Sequence, residues 1–123
     1  MNYEEGHVIL RYRDGRIERA RKADVDTTNE LLNATRADNG SALQVPYAAL
    51  KAVFFPRETP EEELEEPQGS LIAVEFDDGE VIRGNATFDP AATGFFLTPL
   101  DRSKNERIFV VRSAIASIEV ERL

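Results

Sequence analysis

Six basic side chains fall within twelve positions near the start of the chain: Arg11, Arg13, Arg16, Arg19, Arg21 and Lys22. A guanidinium group presents planar, multidentate donors that match carboxylate and phosphate oxygens, so a strip of arginines is a candidate face for an anionic partner. Arg11, Arg13 and Arg16 would share the outer face of one hairpin, which makes them the candidate anion- or partner-binding residues. The competing arrangement is a solvated face, with Glu18 neutralising Arg11 and Asp24 neutralising the Lys22 end.

Other chemistry is thin. His7 is the single histidine, and base catalysis by it would need a partner where the neighbouring sequence offers Glu4 and Glu5. Asp24-Val-Asp26-Thr-Thr-Asn29-Glu30 has the oxygen donors of a hard-cation loop, but not the glycine at the sixth place or the glutamate at the twelfth, and short polar residues also build ordinary turns. The absence of cysteine removes disulfides, thiolate zinc sites and a cysteine nucleophile. No glycine-rich phosphate loop or nucleophile elbow is present. These residues predict no metal, no cofactor and no catalytic set, hence a protein that is not an enzyme.

The net charge of −8 is unevenly spread. Residues 1–56 balance eight basic against eight acidic side chains, 57–69 carry one arginine and six glutamates, and 70–123 carry six basic against nine acidic. Neither end of the chain has the positive charge that phosphate-backbone binding draws on, so charge disfavours RNA as a partner. Met1-Asn-Tyr-Glu-Glu has neither the basic nor the apolar region of a signal peptide, and no apolar run approaches the ~20 residues of a membrane span. A cytoplasmic location with no membrane partner is expected, and Asn33-Ala-Thr35 and Asn85-Ala-Thr87 then carry no glycan.

The elements that must position these side chains come in two similar sets. His7–Ile17 aligns with Leu71–Val81 at an offset of 64, placing Asp14-Gly15 on Asp78-Gly79, Tyr12 on Phe76, Leu10 on Val74 and Ile17 on Val81. Leu31-Leu32 falls on Phe95-Phe96, and one residue of slip places Ala49–Val53 on Ala114–Ile118. An internal duplication is expected. Asp-Gly between alternating apolar residues predicts a hairpin with a two-residue type I′ turn, setting Tyr12 opposite Ile17 and Phe76 opposite Val81. A second hairpin turns at Asn39-Gly40 in one set and at 101–106 in the other, followed by a single helical turn at 46–49 or 112–114 and a last strand. Five short strands per set, with a tight turn before the fifth, predict an all-β protein of two tandem small, highly bent β-barrel units, 1–56 and 70–123. The Pro- and Glu-rich segment 57–69 between them is expected to be an exposed linker.

In the second set, Asp78-Gly79, Gly84, Phe88-Asp89 and Gly94-Phe-Phe-Leu97, then Val110-Val-Arg112-Ser-Ala-Ile-Ala-Ser-Ile118, follow the outlines of two motifs, and by them the set resembles the Sm-like (Lsm) family. By that resemblance the two tandem units are expected to be Sm/SH3-like small β-barrels. The resemblance implies a pocket for an RNA base near Asp89 and Arg112 in the second set, and near Asp26 and Asn29 in the first. Thr93-Gly94 stands where the family has asparagine, Ser113 replaces the glycine after Arg112, and the first set has Val45-Pro-Tyr in place of the second motif. Each set therefore lacks part of the pocket. The whole chain also resembles an uncharacterised bacterial family marked by Ala52–Phe55 and Gly94–Pro99. Asp89-Pro-Ala-Ala-Thr-Gly94 resembles one element of the cyclic di-GMP-binding PilZ domains, though alanine replaces its serine and the partner arginine motif is absent.

The expectation is a non-enzymatic binding or assembly module of the bacterial cytosol, with a protein partner or self-association. An RNA-binding Sm-like protein and a cyclic-dinucleotide-responsive regulator are the alternatives. Leu50–Phe55, with Val53-Phe54-Phe55 consecutive, has the composition of a strand buried on both faces and is expected to contact the other set. Its counterpart Ile115–Val120 alternates with Ser117 and Glu119 and can face water.

Overall fold

A computed structural model describes residues 7–89 and 91–121. The Met1–Glu5 stretch and Pro90 of the Asp89–Gly94 element lie outside the described residues. Ten strands follow one another: β1 (Val8–Tyr12), β2 (Ile17–Asp26), β3 (Leu31–Arg36), β4 (Ala42–Pro46), β5 (Leu50–Pro56), β6 (Ser70–Phe76), β7 (Val81–Ala86), β8 (Gly94–Pro99), β9 (Asn105–Val111) and β10 (Ile115–Val120). The protein is all-β. Among the described residues the helical content is three single 3-10 turns, Tyr47–Ala49, Glu61–Glu63 and Arg112–Ala114, two of them at the places predicted before the last strand of each half.

The strands pair antiparallel into one open sheet, in the order β10-β6-β7-β8-β9-β5-β1-β2-β3-β4. The first half reads fifth-first-second-third-fourth, and so does the second. Both halves carry the same irregularity. The β1–β5 register steps from Arg11↔Ala52 to Tyr12↔Leu50, leaving Lys51 as an extra residue; β6–β10 steps from Glu75↔Ser117 to Phe76↔Ile115, leaving Ala116. Such a bulge bends the strand and re-aims the side chain at the extra position.

The Asp-Gly turns differ from expectation by one residue. Arg11 pairs with Ile17 and Glu75 with Val81, while the Tyr12 and Phe76 amides donate to the Arg16 and Glu80 carbonyls at 2.9 Å. The loops thus span three residues, with Gly15 and Gly79 at φ +95° and +91°. Asp14 and Asp78 each accept the amide two residues on, at 2.9 and 3.0 Å. That local bond favours a type I turn followed by a left-handed glycine over the type I′ turn. One residue of slip reverses every facing side chain, so Ile17 and Val81 are 64% and 53% exposed rather than opposite Tyr12 and Phe76. A second slip lies in β2, whose pairing with β3 shifts between Arg21 and Asp24. Ala20↔Arg36 then corresponds to Gly84↔Pro99, which sets Leu32, not Leu31, in the place of Phe95.

The halves meet where β5 pairs with β9, Ala52↔Val110 through Phe55↔Arg107. The expected burial of β5 on both faces is what this seam provides. Val53, Phe109 and Val111 enter one apolar core, built on β1 and Tyr47; Ala52, Ile108 and Val110 enter another, built on β6 and Phe76. Each fully buried side chain of this size stabilises the fold by about 1.5–3 kcal/mol, so the seam belongs to both cores. Tyr47, Phe109, Phe96 and Phe55 form a run of rings with centroids 5.1 to 5.8 Å apart, and Arg107 lies over the last two rings. The acidic segment 57–69 is tied down beside the β8–β9 loop: the Arg57 amide donates to the Lys104 carbonyl at 2.8 Å, and Arg102 donates to the Glu65 carbonyl at 2.6 Å. Glu106 accepts from the amides of Glu58 and Thr59. Burial raises its carboxyl pKa, but those bonds outweigh it and the net shift is downward.

Candidate functional site

The two Asp-Gly hairpin tips have opposite charge and touch. The first carries Arg13 and Arg16, the second Asp77, Asp78 and Glu80. Arg13 donates to Asp77 at 2.9 Å and Arg11 lies 3.4 Å from Glu80, over the Phe54 ring. Lys51, the extra residue of the β5 bulge, is only 4% exposed; it reaches Asp78 at 2.6 Å and Glu80, and sits 4.9 Å from the Phe76 ring centroid. The Lys51 ammonium holds Asp78 below the usual carboxylate range. Arg11 thus faces Glu80 across the halves instead of Glu18. Arg16 stays local: Asp14 accepts its Nε at 2.8 Å, and its guanidinium lies over the Tyr12 ring at 4.3 Å. The structure therefore brings Arg11 and Arg13 together in a contact between halves and separates Arg16 from them.

Arg16 opens instead onto a cleft of about 860 Å³ at the end of the first half, lined by Tyr12, Ile17, Glu18, Arg19 and Arg36 among others. The alternation of β2 places Glu18 beside Tyr12, and the Ala20↔Arg36 pair brings Arg36 alongside. Tyr12 Oη donates to Glu18 Oε1 at 2.7 Å, Arg36 Nε donates to Glu18 Oε2 at 3.1 Å, and Arg36 continues to Ser41 Oγ at 3.3 Å. Burial, then the Glu18 bond, pushes the Tyr12 hydroxyl up to about 12. With both oxygens of Glu18 taken, the Arg19 guanidinium has no partner among the described residues, and Ile17 stands exposed beside it.

The same place in the second half is apolar. The Leu100 amide donates to the Arg83 carbonyl at 3.2 Å, as the Ala37 amide does to the Arg19 carbonyl at 3.3 Å. Where the first half has Tyr12, Glu18 and Arg36, the second has Phe76, Ile82 and Pro99. Its cleft, about 600 Å³, is lined by Val81, Ile82, Pro99 and Leu100 with Arg83 and Asp101.

The positions implied by the Sm-like outline fall in turns. Asp26 accepts the Asn29 amide at 3.0 Å and its side-chain nitrogen at 2.8 Å, which lowers the Asp26 pKa. Asp89 accepts the Ala91 amide at 2.9 Å. The Arg112 amide donates to the Thr93 carbonyl at 2.9 Å, as Tyr47 does to Glu30, so Arg112 is tied by its backbone to the loop that carries Asp89. Asp26 and Asn29 stand in one half, Asp89 and Arg112 in the other. Among the described residues no group of three or more acidic or histidine side chains could hold a metal ion, and no helix is long and apolar enough to cross a membrane.

Sequence reading missed Lys51 and the Tyr12–Glu18–Arg36 chain. A lysine inside Leu50–Phe55 was a visible signal, because a cation in an otherwise apolar strand needs acids from elsewhere. Tyr12 gave none, since its role depends on the β2 register.

Neither a curated protein nor a solved structure matches the chain. The pattern of one family does match, over residues 4–122: it is described as a family of unknown function, DUF6982, and the chain belongs to it.

Proposed function

We propose that the protein is a non-enzymatic binding module in which two copies of one Sm-like small-barrel unit are joined edge to edge, and that the first copy receives an acidic protein segment in its cleft. The observation that carries the reading is the contrast between the two corresponding clefts. One backbone position is lined in the first half by Arg16, Arg19 and Arg36 with Glu18, Asp38 and an exposed Ile17, and in the second half mostly by aliphatic side chains, with one arginine, Arg83, and Asp101. Guanidinium groups from Arg16 and Arg19 suit carboxylates, and Ile17 between them suits one aliphatic side chain of the same ligand. Two carboxylates line the cleft, Glu18 and Asp38, and Glu18, the one beside Tyr12, already accepts a bond on each oxygen, which favours binding over catalysis. The chain's net charge of −8 opposes a polynucleotide, which would meet repulsion beyond this one basic place.

Fluorescence anisotropy with a labelled peptide of alternating glutamate and leucine tests the reading, with a labelled oligouridylate as the competing probe. The peptide should bind, weaken as salt is added, and be lost in the double variant Arg16→Ser/Arg19→Ser, which leaves Arg36 and its fold contacts in place. Binding of the oligouridylate with a steep salt dependence would establish the RNA-binding alternative. Binding of neither probe would overturn both.

A further inference from the structure

The seam inside the chain is a template for the two edges left at its ends. β5 is the fifth strand of the first half and β9 the fourth of the second; the free edges β4 and β10 are the remaining fourth and fifth. A second copy laid end to end would therefore repeat the seam, with β10 of one chain against β4 of the next. Carrying the observed register over, Ser117 would oppose Val45, Ile118 Gln44, Glu119 Leu43 and Val120 Ala42.

The side chains at these positions do not repeat the seam. Phe109, 2% exposed and central to the run of rings, is matched on β4 by Gln44. Ala52 and Phe54, which pack into the second core from β5, are matched on β10 by Ser117 and Glu119. Pro46, at the position of Val111, removes a main-chain donor from β4. Inside a repeated seam the Glu119 carboxylate would lie beside Leu43 without a cation, a charge buried and unpaired. Charged and proline residues on open edges are how sheet proteins prevent edge-to-edge growth.

We infer that β4 and β10 are the two matching halves of a self-docking surface, and that Gln44, Ser117 and Glu119 keep it closed. The partner its edges are shaped to take and chemically refuse is then a second copy of itself.

Light scattering and sedimentation velocity on the full chain test this. The wild type should keep the mass of one chain, 13.8 kDa, across the accessible concentration range. The variant Gln44→Phe/Ser117→Ala/Glu119→Phe should grow with concentration into multiples of that mass. Because the chain has no cysteine, adding Ala42→Cys and Val120→Cys to that variant should give a ladder of disulfide-linked chains under oxidation. Wild-type multimers held by the same two edges would overturn the inference, and so would a folded triple variant that stays single. Growth without the ladder would show another surface at work and reject the register. If circular dichroism finds the triple variant unfolded, Glu119→Leu with Gln44→Leu makes the same test with less added bulk. The direction expected is the same.

Discussion

The end of the first half and the end of the second solve one packing problem in two ways. Tyr12, Glu18 and Arg36 fill it with a hydrogen-bonded chain, and Phe76, Ile82 and Pro99 fill it with apolar contact. The backbones carry the same main-chain bonds, Ala37 to Arg19 and Leu100 to Arg83. The difference shows that the polar set is not demanded by the fold, because an apolar set does the same work in the same molecule. Partly buried polar networks rarely stabilise more than well-packed apolar groups of similar size. The proposed binding function would account for arginines and a glutamate kept there, in the first half.

The comparison breaks most sharply at Phe76. Its side chain is 1% exposed, and Phe76→Ala should cost about 3–5 kcal/mol from lost burial and the cavity left behind, read as a lower denaturation midpoint at an unchanged slope. The matching cut in the first half, Glu18→Ala, should cost less, about 1–3 kcal/mol, because Tyr12 and Arg36 lose their acceptor but remain within reach of water.

A smaller effect sharpens the contrast at a single atom. Tyr12→Phe installs the second half's residue in the first half and should cost about 1 kcal/mol for the lost bond to Glu18. It also carries a pH signature. The Tyr12 and Tyr47 hydroxyls are both pushed up to about 12 from the ordinary 10.0, so each favours the folded state while protonated. That contribution is complete below pH 10 and is lost as pH rises toward 12. Thermal unfolding followed from pH 9 to 12 should show melting temperature falling across that window, and a Tyr12→Phe/Tyr47→Phe variant should flatten the fall. A fall of undiminished size in the double variant would assign the alkaline loss to other groups.

The smallest expected change is at Tyr47 alone. Its ring packs 5.6 Å from Phe109, and its buried hydroxyl has no hydrogen-bond partner among the described residues. Tyr47→Phe keeps the ring and removes an unsatisfied polar atom, so stability should stay within about 0.5 kcal/mol or rise. Tyr12→Phe, chemically the same change, should then cost measurably more than Tyr47→Phe. Chemical denaturation of the two side by side is the direct check.

Much of the fold was legible because its signals are local. Alternation within β1 and β6, the Asp-Gly and Asn39-Gly40 turns, and the 3-10 turns before β5 and β10 each depend on a few neighbouring residues. The unbroken apolar run Val53–Phe55 announced a strand buried on both faces. Chain order and composition therefore determined an all-β protein with two similar sets of strands and a central β5. What they left open turned on a single residue of register. The Asp14 and Asp78 carboxylates, by binding the amide two residues on, chose a three-residue loop, and that choice moved Ile17 and Val81 to solvent and Glu18 toward Tyr12. Only the tertiary structure could pair Arg11 and Arg13 with the second half's acids, bury Lys51 between Asp78 and Glu80, and leave Arg16 beside Arg19 at a cleft. Those contacts join residues far apart in the chain, and their geometry exists only once β9 has docked on β5.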